Sequence, residues 1–215
     1  MLRILVADDH EVVRKGLIAV LAQRPDWQVC AEATDGREAV RLAAKLQPQV
    51  AILDLSMPSL NGLEATRQIR REVPQTEILV FSMYEDEQFV HDLLSAGARG
   101  YLLKSDVAGQ LVTAVETVAR HKPYFTSEIA ERVVEGFLRV NTTKQAESEA
   151  GVLTGREREI VQLLAESKSN KEIAEVLSIS VKTVQTHRAT IMRKLGIGSI
   201  VDLVHYAIRN RLVAP

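Results

Sequence analysis

Polar side chains that could bind a cation and a phosphoryl group stand at the ends of short apolar runs in this sequence. Asp8 and Asp9 follow the run ILVA, Asp54 lies in VAILDL, Ser82 ends EILVFS and Lys104 ends RGYLLK. Carboxylates brought together raise one another's pKa, and a hard divalent cation such as Mg²⁺ removes that repulsion. A lysine beside them provides a positive charge for a phosphoryl group. The set indicates phosphoryl transfer, in which an aspartate can itself be the nucleophile.

These side chains meet only if the apolar runs form one parallel sheet. Each run has the length of a strand, and stretches with helical periodicity separate the runs. The runs cover residues 4–7, 27–33, 50–55, 77–82 and 99–104, and the helical stretches cover residues 10–23, 36–46, 62–72, 85–95 and 106–121. This alternation predicts an α/β fold, a doubly wound five-stranded parallel sheet with helices on both faces. In such sheets sites form at the carboxyl ends of the strands, where the polar residues would meet.

The periodicity changes after residue 121. Residues 123–140 predict one more helix, and the polar stretch NTTKQAESEAG at 141–151 predicts a flexible linker. Beyond it, helix-capping patterns begin at residues 154, 169, 180 and 199 and predict four helices. We therefore divide the chain into residues 1–121, a linker helix and flexible linker at 122–150, and an all-α domain at 151–215.

Charge is distributed unevenly along the chain. Residues 151–215 carry 10 of the 27 Lys and Arg residues but only 6 of the 28 Asp and Glu residues, whereas the whole chain has a net charge of −1. Residues 176–201 contain four basic residues and no acidic one. A polyanion is therefore the expected partner of the C-terminal part.

Composition excludes several classes of protein. The only cysteine, Cys30, cannot form an internal disulfide, and no Cys/His cluster has zinc spacing, so we expect a reducing, cytoplasmic setting. The start MLRILVADDH lacks the apolar region of a signal peptide, and no apolar run approaches the length of a membrane span. We expect a soluble protein that contacts no membrane.

The segment SVKTVQTHRATIMRKL at 180–195 has the composition of a helix that reads DNA. It follows a shorter helix and a turn, with the spacing of a helix-turn-helix. Gln and Arg can bond base edges in the major groove, and basic residues near the helix ends suit phosphates. The residues expected to face DNA are Lys182, Thr183, Gln185, Thr186, Arg188, Ala189, Arg193 and Lys194. Taken alone, such a helix is more often an ordinary solvated surface helix.

The arrangement ADDH, DLSMPSLNG, FS and GYLLK resembles the receiver domain of two-component response regulators over residues 1–121. The resemblance implies a flavodoxin-like fold in which Asp54 is the phosphoacceptor. It also implies an Mg²⁺ site made by Asp9 with Asp8, by the Asp54 carboxylate and by the main-chain carbonyl of Ser56.

The same resemblance implies a switch at the neighbouring strand ends. Ser82 would bond the phosphoryl oxygen, Lys104 would pair with it, and Tyr101 would change rotamer as the switch moves. Met83 stands where many receivers have a small residue, so it and Ser56 are expected to influence the lifetime of the phosphate.

The stretch LTGREREIVQLLAESKSNKEIAEVLSISVKTVQTHRATIMRKLGI closely resembles the LuxR-type helix-turn-helix domain, which would cover nearly all of residues 152–213. The whole chain thus resembles response regulators of the NarL/FixJ family. The family pattern implies that residues 181–195 are the recognition helix and that residues 200–209 are a dimerisation element.

The resemblance implies a transcription factor rather than an enzyme. A sensor histidine kinase would phosphorylate Asp54, and the C-terminal domain would then bind double-stranded DNA as a homodimer, with RNA polymerase as a further partner. Before phosphorylation, we expect a closed form in which the receiver shields the recognition helix.

Two other functions stay open at this point. An Mg²⁺-dependent phosphatase with an aspartyl nucleophile generally needs a second aspartate two residues later, where this chain has Ser56. A receiver that regulates by protein contact alone would not need phosphorylation, and the presence of Asp9, Asp54 and Lys104 makes that function less expected.

Overall fold

The computed structural model describes residues 1–83, 87–126, 129 and 153–213. Its first part, the sheet unit (residues 1–126), contains the parallel α/β sheet that the sequence predicts. The strands are β1 Leu2–Ala7, β2 Trp27–Ala33, β3 Val50–Asp54, β4 Glu77–Ser82, β5 Gly100–Leu103 and β6 Tyr124–Phe125, in the spatial order β2-β1-β3-β4-β5-β6. The direction of winding reverses between β1 and β3, and open sheets form a crevice at such a point.

The sixth strand was not predicted. Tyr124 and Phe125 were expected to begin the helix at 123–140, but they pair in parallel with Gly100 and Tyr101 of β5. Two residues are too few to show strand periodicity, so only the pairing with β5 makes them a strand. The rest of the predicted helix and the linker at 141–151 lie outside the described residues, apart from Thr126 and Ile129, which are buried.

Helices cover both faces of the sheet, as predicted. They are α1 Glu11–Leu21, α2 Gly36–Leu46, α3 Gly62–Glu72, α4 Glu87–Ser95 and α5 Val107–Ala119, with a short 3-10 helix at Lys104–Asp106. Leu53 and Val80 point into the core under α2, α3 and α4, whereas Ile52 and Phe81 point into the core under α1 and α5. This alternation along each strand places the strand ends, and the polar residues that follow them, between two apolar layers.

The second part, the helical unit (residues 153–213), contains the four predicted helices. They are α6 Gly155–Ala165, α7 Asn170–Val176, α8 Val181–Leu195 and α9 Ile200–Arg209. Complete capping boxes join Thr154 to Glu157 and Ser169 to Glu172, and the Ser180 and Ser199 hydroxyls accept a bond from the first turn of their helices. The local sequence therefore sets where each helix begins.

Within the described ranges, no helix combines the length and the apolar character that crossing a bilayer requires.

Candidate functional site

The carboxyl ends of β1, β3 and β5 bring an amine between two buried carboxylates. Lys104 Nζ lies 2.8 Å from Asp8 Oδ2 and 3.1 Å from Asp54 Oδ1. Asp8 is fully buried and Asp54 is 3% exposed. The predicted meeting of these three side chains is thus observed, because parallel strands of similar register end at the same edge.

Burial and the charge of the opposite partner shift the pKa values of Asp54 and Lys104 in opposite directions. Burial raises the pKa of the Asp54 carboxyl above its ordinary value; Lys104 opposes the rise, and the charge of Asp8 adds to it. Burial alone would lower the pKa of Lys104, but the carboxylates of Asp54 and Asp8 outweigh burial and raise it. Lys104 therefore stays charged at neutral pH and can follow whichever partner gains negative charge.

A cluster of possible metal ligands surrounds the same carboxylates. The ligand atoms of Asp8, Asp9, His10 and Asp54 all lie within 4.8 Å of one another. Asp9 and His10 are exposed, so the cluster opens to solvent. Carboxylate oxygens are the donors that Mg²⁺ prefers, and the three aspartates of the cluster therefore fit that ion.

His10 was not predicted as part of the site. Its Nδ1 atom lies 2.8 Å from Asp9 Oδ1 and 3.4 Å from Asp8 Oδ1. The sequence signal was only its place next to two aspartates, and the same residue also fits the position before a helix. In the structure His10 contacts both aspartates and is also the N-cap residue of α1.

The other predicted residues lie around this cluster. Ser82 ends β4 and is fully buried, and Ser56 is half-buried beside Asp9 at the edge of a pocket. Tyr101 lies on β5 and is 2% exposed, so the aromatic residue proposed as a switch is inside the core here. Met83 is 73% exposed and lies directly after Ser82. A small molecule approaching the carboxylates through that pocket would meet Ser56.

Gly62 controls how closely the chain returns to Asp54. A Cβ atom at Gly62 would lie 2.1 Å from the carbonyl oxygen of Asp54. The amide of Gly62 donates a hydrogen bond to the carbonyl oxygen of Leu55 at 2.9 Å. The start of α3 is therefore packed directly against the backbone of the candidate nucleophile. Only glycine permits this approach.

We expect Gly62→Ala to destabilise the protein by about 1–3 kcal/mol or more, because the backbone of Asp54 or of α3 must move. Gly16→Ala is the matched control: nothing lies within 4 Å of a Cβ atom there, and Gly16 is inside α1. The control should stabilise by about 0.5–1 kcal/mol. Chemical denaturation of both variants measures the difference, and a Gly62→Ala protein as stable as the control would show that the close approach is not required.

Five of the eight residues predicted to face DNA line an exposed groove on α8. Val184 and Ile191 are buried in the core of the helical unit, which turns the opposite side of α8 outward. That side carries a shallow groove of about 560 Å³. The groove is lined by Lys182, Gln185, Thr186, Ala189, Thr190 and Arg193. Thr190 was not predicted, although its position between Ala189 and Arg193 could have indicated it.

Three predicted residues lie apart from this groove lining. The Thr183 amide donates to the N-cap Ser180 hydroxyl at 3.0 Å, and Arg188 is half-buried. Lys194 Nζ lies 2.7 Å from Oε1 of Glu157, a buried residue of α6. Burial alone would raise the pKa of Glu157, but the bonds from Lys194 and Thr154 outweigh it and lower the pKa. Lys194 therefore ties α8 to α6 in this conformation.

The helical unit docks on the sheet unit through α6. The carboxylate of Glu159 accepts hydrogen bonds from Arg37 at 2.8 Å and from Gln68 at 2.9 Å, and Arg158 pairs with Glu64. The groove on α8 stays exposed. The expectation that the sheet unit shields the recognition helix is therefore wrong for this conformation, because polar residues of α6 form the interface instead.

Two family models match the chain. Residues 4–116 match the response regulator receiver domain, and residues 151–207 match the bacterial regulatory proteins of the LuxR family.

Similar proteins match over the full length. The transcriptional regulatory protein LiaR of Bacillus subtilis is 42% identical, with 99% of this chain and 100% of LiaR aligned. The oxygen regulatory protein NreC of Staphylococcus epidermidis is 40% identical, with 99% of each chain aligned. A structure of the Salmonella typhimurium response regulator RcsB has a TM-score of 0.61 at 26% identity, covering 96% of this chain and 98% of its own. A structure of an RcsB–DNA complex has a TM-score of 0.59 at 25% identity, covering 95% and 96%.

Proposed function

We propose that this chain works through a phosphorylation switch at Asp54. The chain belongs to the NarL/FixJ family of two-component response regulators and is a transcriptional regulator. The observation that carries the proposal is the buried carboxylate of Asp54 with Lys104 Nζ at 3.1 Å and an acidic cluster open to solvent beside it. A carboxylate in this setting can act as nucleophile, and a cation is already in place for the charge that it acquires.

In the proposed reaction, an Asp54 carboxylate oxygen attacks the phosphorus of a phosphohistidine on a sensor kinase, or of acetyl phosphate. The new P–O bond forms as the bond to the histidine nitrogen or to acetate breaks, and the leaving group takes the electron pair. Asp8, Asp9 and the carbonyl of Ser56 would hold Mg²⁺, together with Asp54. When bound, Mg²⁺ neutralises charge on the transferring group.

The new phosphoryl charge then redistributes the partners of Lys104. Lys104 is shared between Asp8 and Asp54 before the reaction. A phosphoryl group on Asp54 carries more charge than either carboxylate, so Lys104 moves toward it and Ser82 donates a hydrogen bond to its oxygen. Tyr101 lies on β5, one residue from the Leu102–Phe81 pair, and follows the shift of these strand ends. Repacking of this edge changes the surface that the helical unit contacts.

For the helical unit, we propose that α8 enters the major groove of double-stranded DNA. Gln185, Thr186 and Ala189 lie on its exposed side, where base edges could be reached, and Lys182 and Arg193 would contact phosphates. The structural similarity of this chain to RcsB in its complex with DNA supports this placement. We propose that α9 joins two copies on paired half-sites and that RNA polymerase is a further partner. The cytoplasm is the proposed location because the DNA and the kinase domain are there.

Nothing observed favours the alternative of a phosphatase. Ser56 stands where such an enzyme generally has a second acid, and the relatives named above are regulatory proteins. The buried pairing of Lys104 with Asp54, beside Asp9, is the arrangement that phosphorylation would need, and it makes a receiver that works without phosphorylation the less expected alternative.

Selection of bound fragments from genomic DNA tests the proposal. Protein treated with acetyl phosphate and Mg²⁺ should recover a shared site with two half-sites about one helical turn apart, and untreated protein should recover far less. The Asp54→Asn protein under the same treatment is the control. Equal recovery by the control and the treated wild type would contradict a phosphorylation switch.

A further inference from the structure

Two side chains of the helical unit hold the loop that directly follows Asp54. Gln162 of α6 donates from Nε2 to the carbonyl oxygen of Met57 at 3.0 Å and accepts at Oε1 from the amide of Asn61 at 2.8 Å. The carboxylate of Glu166, the C-cap residue of α6, accepts from the amide of Ser59 at 3.0 Å. The loop between β3 and α3 is thus held at three backbone positions by one face of α6.

The two side chains act as one unit. Gln162 and Glu166 are four residues apart on a helix, so they point the same way, and Gln162 Nε2 also donates to Glu166 Oε1 at 2.8 Å. Gln162 is 1% exposed, and Asn61 is 3% exposed. Buried backbone groups need partners, so in the docked form these side chains replace the water that would otherwise bond Met57 and Asn61.

The held loop, which follows Asp54 in sequence, has a strained backbone at Ser59. Ser59 has a φ of +65°, in the left-handed region that residues other than glycine rarely adopt. Its amide is the group that Glu166 binds. Strain of this kind persists where the surroundings impose it, and here α6 is part of the surroundings.

Docking also changes the approach to the acidic cluster. A pocket of about 470 Å³ is lined on one side by Asp9, Ser56 and Met57 and on the other by Glu166 and Ile208 of the helical unit. A phosphoryl donor is an anion, and the carboxylate of Glu166 adds a negative charge to the wall of this pocket. The docked helical unit therefore narrows the space beside Asp9 and repels an anionic donor.

We propose that Gln162 and Glu166 form an interdomain latch that slows phosphoryl transfer to Asp54 and is released by it. The inference rests on the proposed phosphorylation of Asp54. Docking also favours the unphosphorylated state at equilibrium, because the loop after Asp54 is held in the arrangement that it has without a phosphoryl group. Since equilibrium coupling is reciprocal, a phosphoryl group on Asp54 weakens docking by the same free energy. The latch leaves the groove on α8 exposed, so it regulates the phosphorylation site without covering the proposed DNA surface.

The test measures the initial rate of phosphorylation of the full-length chain by acetyl phosphate with Mg²⁺, using intact-mass analysis. Gln162→Ala and Glu166→Ala should each react about fivefold faster than wild type, the factor that corresponds to losing about one net hydrogen bond from the docked form. Gln23→Ala, at an exposed position after α1, is the matched control and should react at the wild-type rate.

Hydrogen exchange gives a second readout, without donor or metal. The amides of Ser59 and Asn61 should exchange faster in Gln162→Ala and Glu166→Ala than in wild type, whereas the amides of β3 should not change. If Gln162→Ala fails to fold, Glu166→Ala decides, because Glu166 is only half-buried at the end of α6. Unchanged or slower phosphorylation of the folded variants would overturn the latch, whatever the exchange result.

The outcomes separate the latch from the function on which it rests. Labelling of Asp54→Asn in the same assay would refute the phosphorylation site itself. Labelling confined to Asp54, with equal rates for wild type and both latch variants, would refute the latch alone.

Discussion

The Asp54→Asn protein is expected to incorporate no phosphoryl group from acetyl phosphate and Mg²⁺ under conditions in which wild type is labelled. The amide of asparagine is a poor nucleophile, and the other two carboxylates of the cluster have different surroundings. Asp8 is fully buried against Lys104, and Asp9 is paired with His10. Intact-mass analysis after treatment measures the incorporation.

This loss should not come from misfolding. Burial raises the pKa of Asp54, which means that the ionised form is disfavoured by its surroundings. A neutral amide of the same shape removes that penalty and leaves Lys104 paired with Asp8 at 2.8 Å. We therefore expect Asp54→Asn to be at least as stable as wild type in thermal unfolding.

Asp26→Asn is the matched control, because Asp26 is exposed between α1 and β2. It should be labelled like wild type. If Asp54→Asn were labelled to the wild-type extent, Asp54 would not be the phosphoacceptor, and the proposed function would need another carboxylate.

The second large effect is expected on α8, where Gln185→Ala and Arg193→Ala should weaken DNA binding in different ways. Gln185 is exposed in the groove, and glutamine can form two bonds to adenine in the major groove. Its loss should cost about 1–3 kcal/mol at one base position and relax the sequence preference there. Arg193 lines the same groove near the end of α8, so its loss should weaken binding to all sequences evenly.

Salt dependence separates these two roles. Arg193→Ala should lower the slope of log affinity against log salt by about one, and Gln185→Ala should leave the slope unchanged. Binding of a panel of single-base variants of the selected site, at several salt concentrations, measures both effects. If both variants lowered affinity equally for every sequence, with equal slopes, α8 would not be the helix that reads bases.

Lys194 is a poor choice for the phosphate-contact variant, although the sequence indicated it. Its removal would leave the buried carboxylate of Glu157 without the ammonium group 2.7 Å away. An affinity change would then mix lost DNA contact with a change in how α6 and α8 pack. Arg193 avoids this problem.

Much of the fold could be predicted because its signals are local. The alternation of apolar runs and helical stretches predicted five parallel strands, and the Thr154 and Ser169 capping boxes were read from residues three positions apart. The meeting of Asp8, Asp54 and Lys104 also followed, since the carboxyl ends of parallel strands share an edge. His10 and Thr190 were missed because each lies beside a predicted residue without a distinguishing pattern.

The sequence by itself determined the strands, the caps and the residues at the sheet edge, because hydrogen bonds and periodicity over a few residues specify them. Only the tertiary structure decided that Tyr124 and Phe125 form a strand, that Lys194 pairs with Glu157, and that α6 docks on the loop after Asp54. Gln162 and Asn61 are 101 residues apart in sequence. A polar residue on a helix looks the same in sequence whether water or another domain binds it, so its partner is known only once both units are in place.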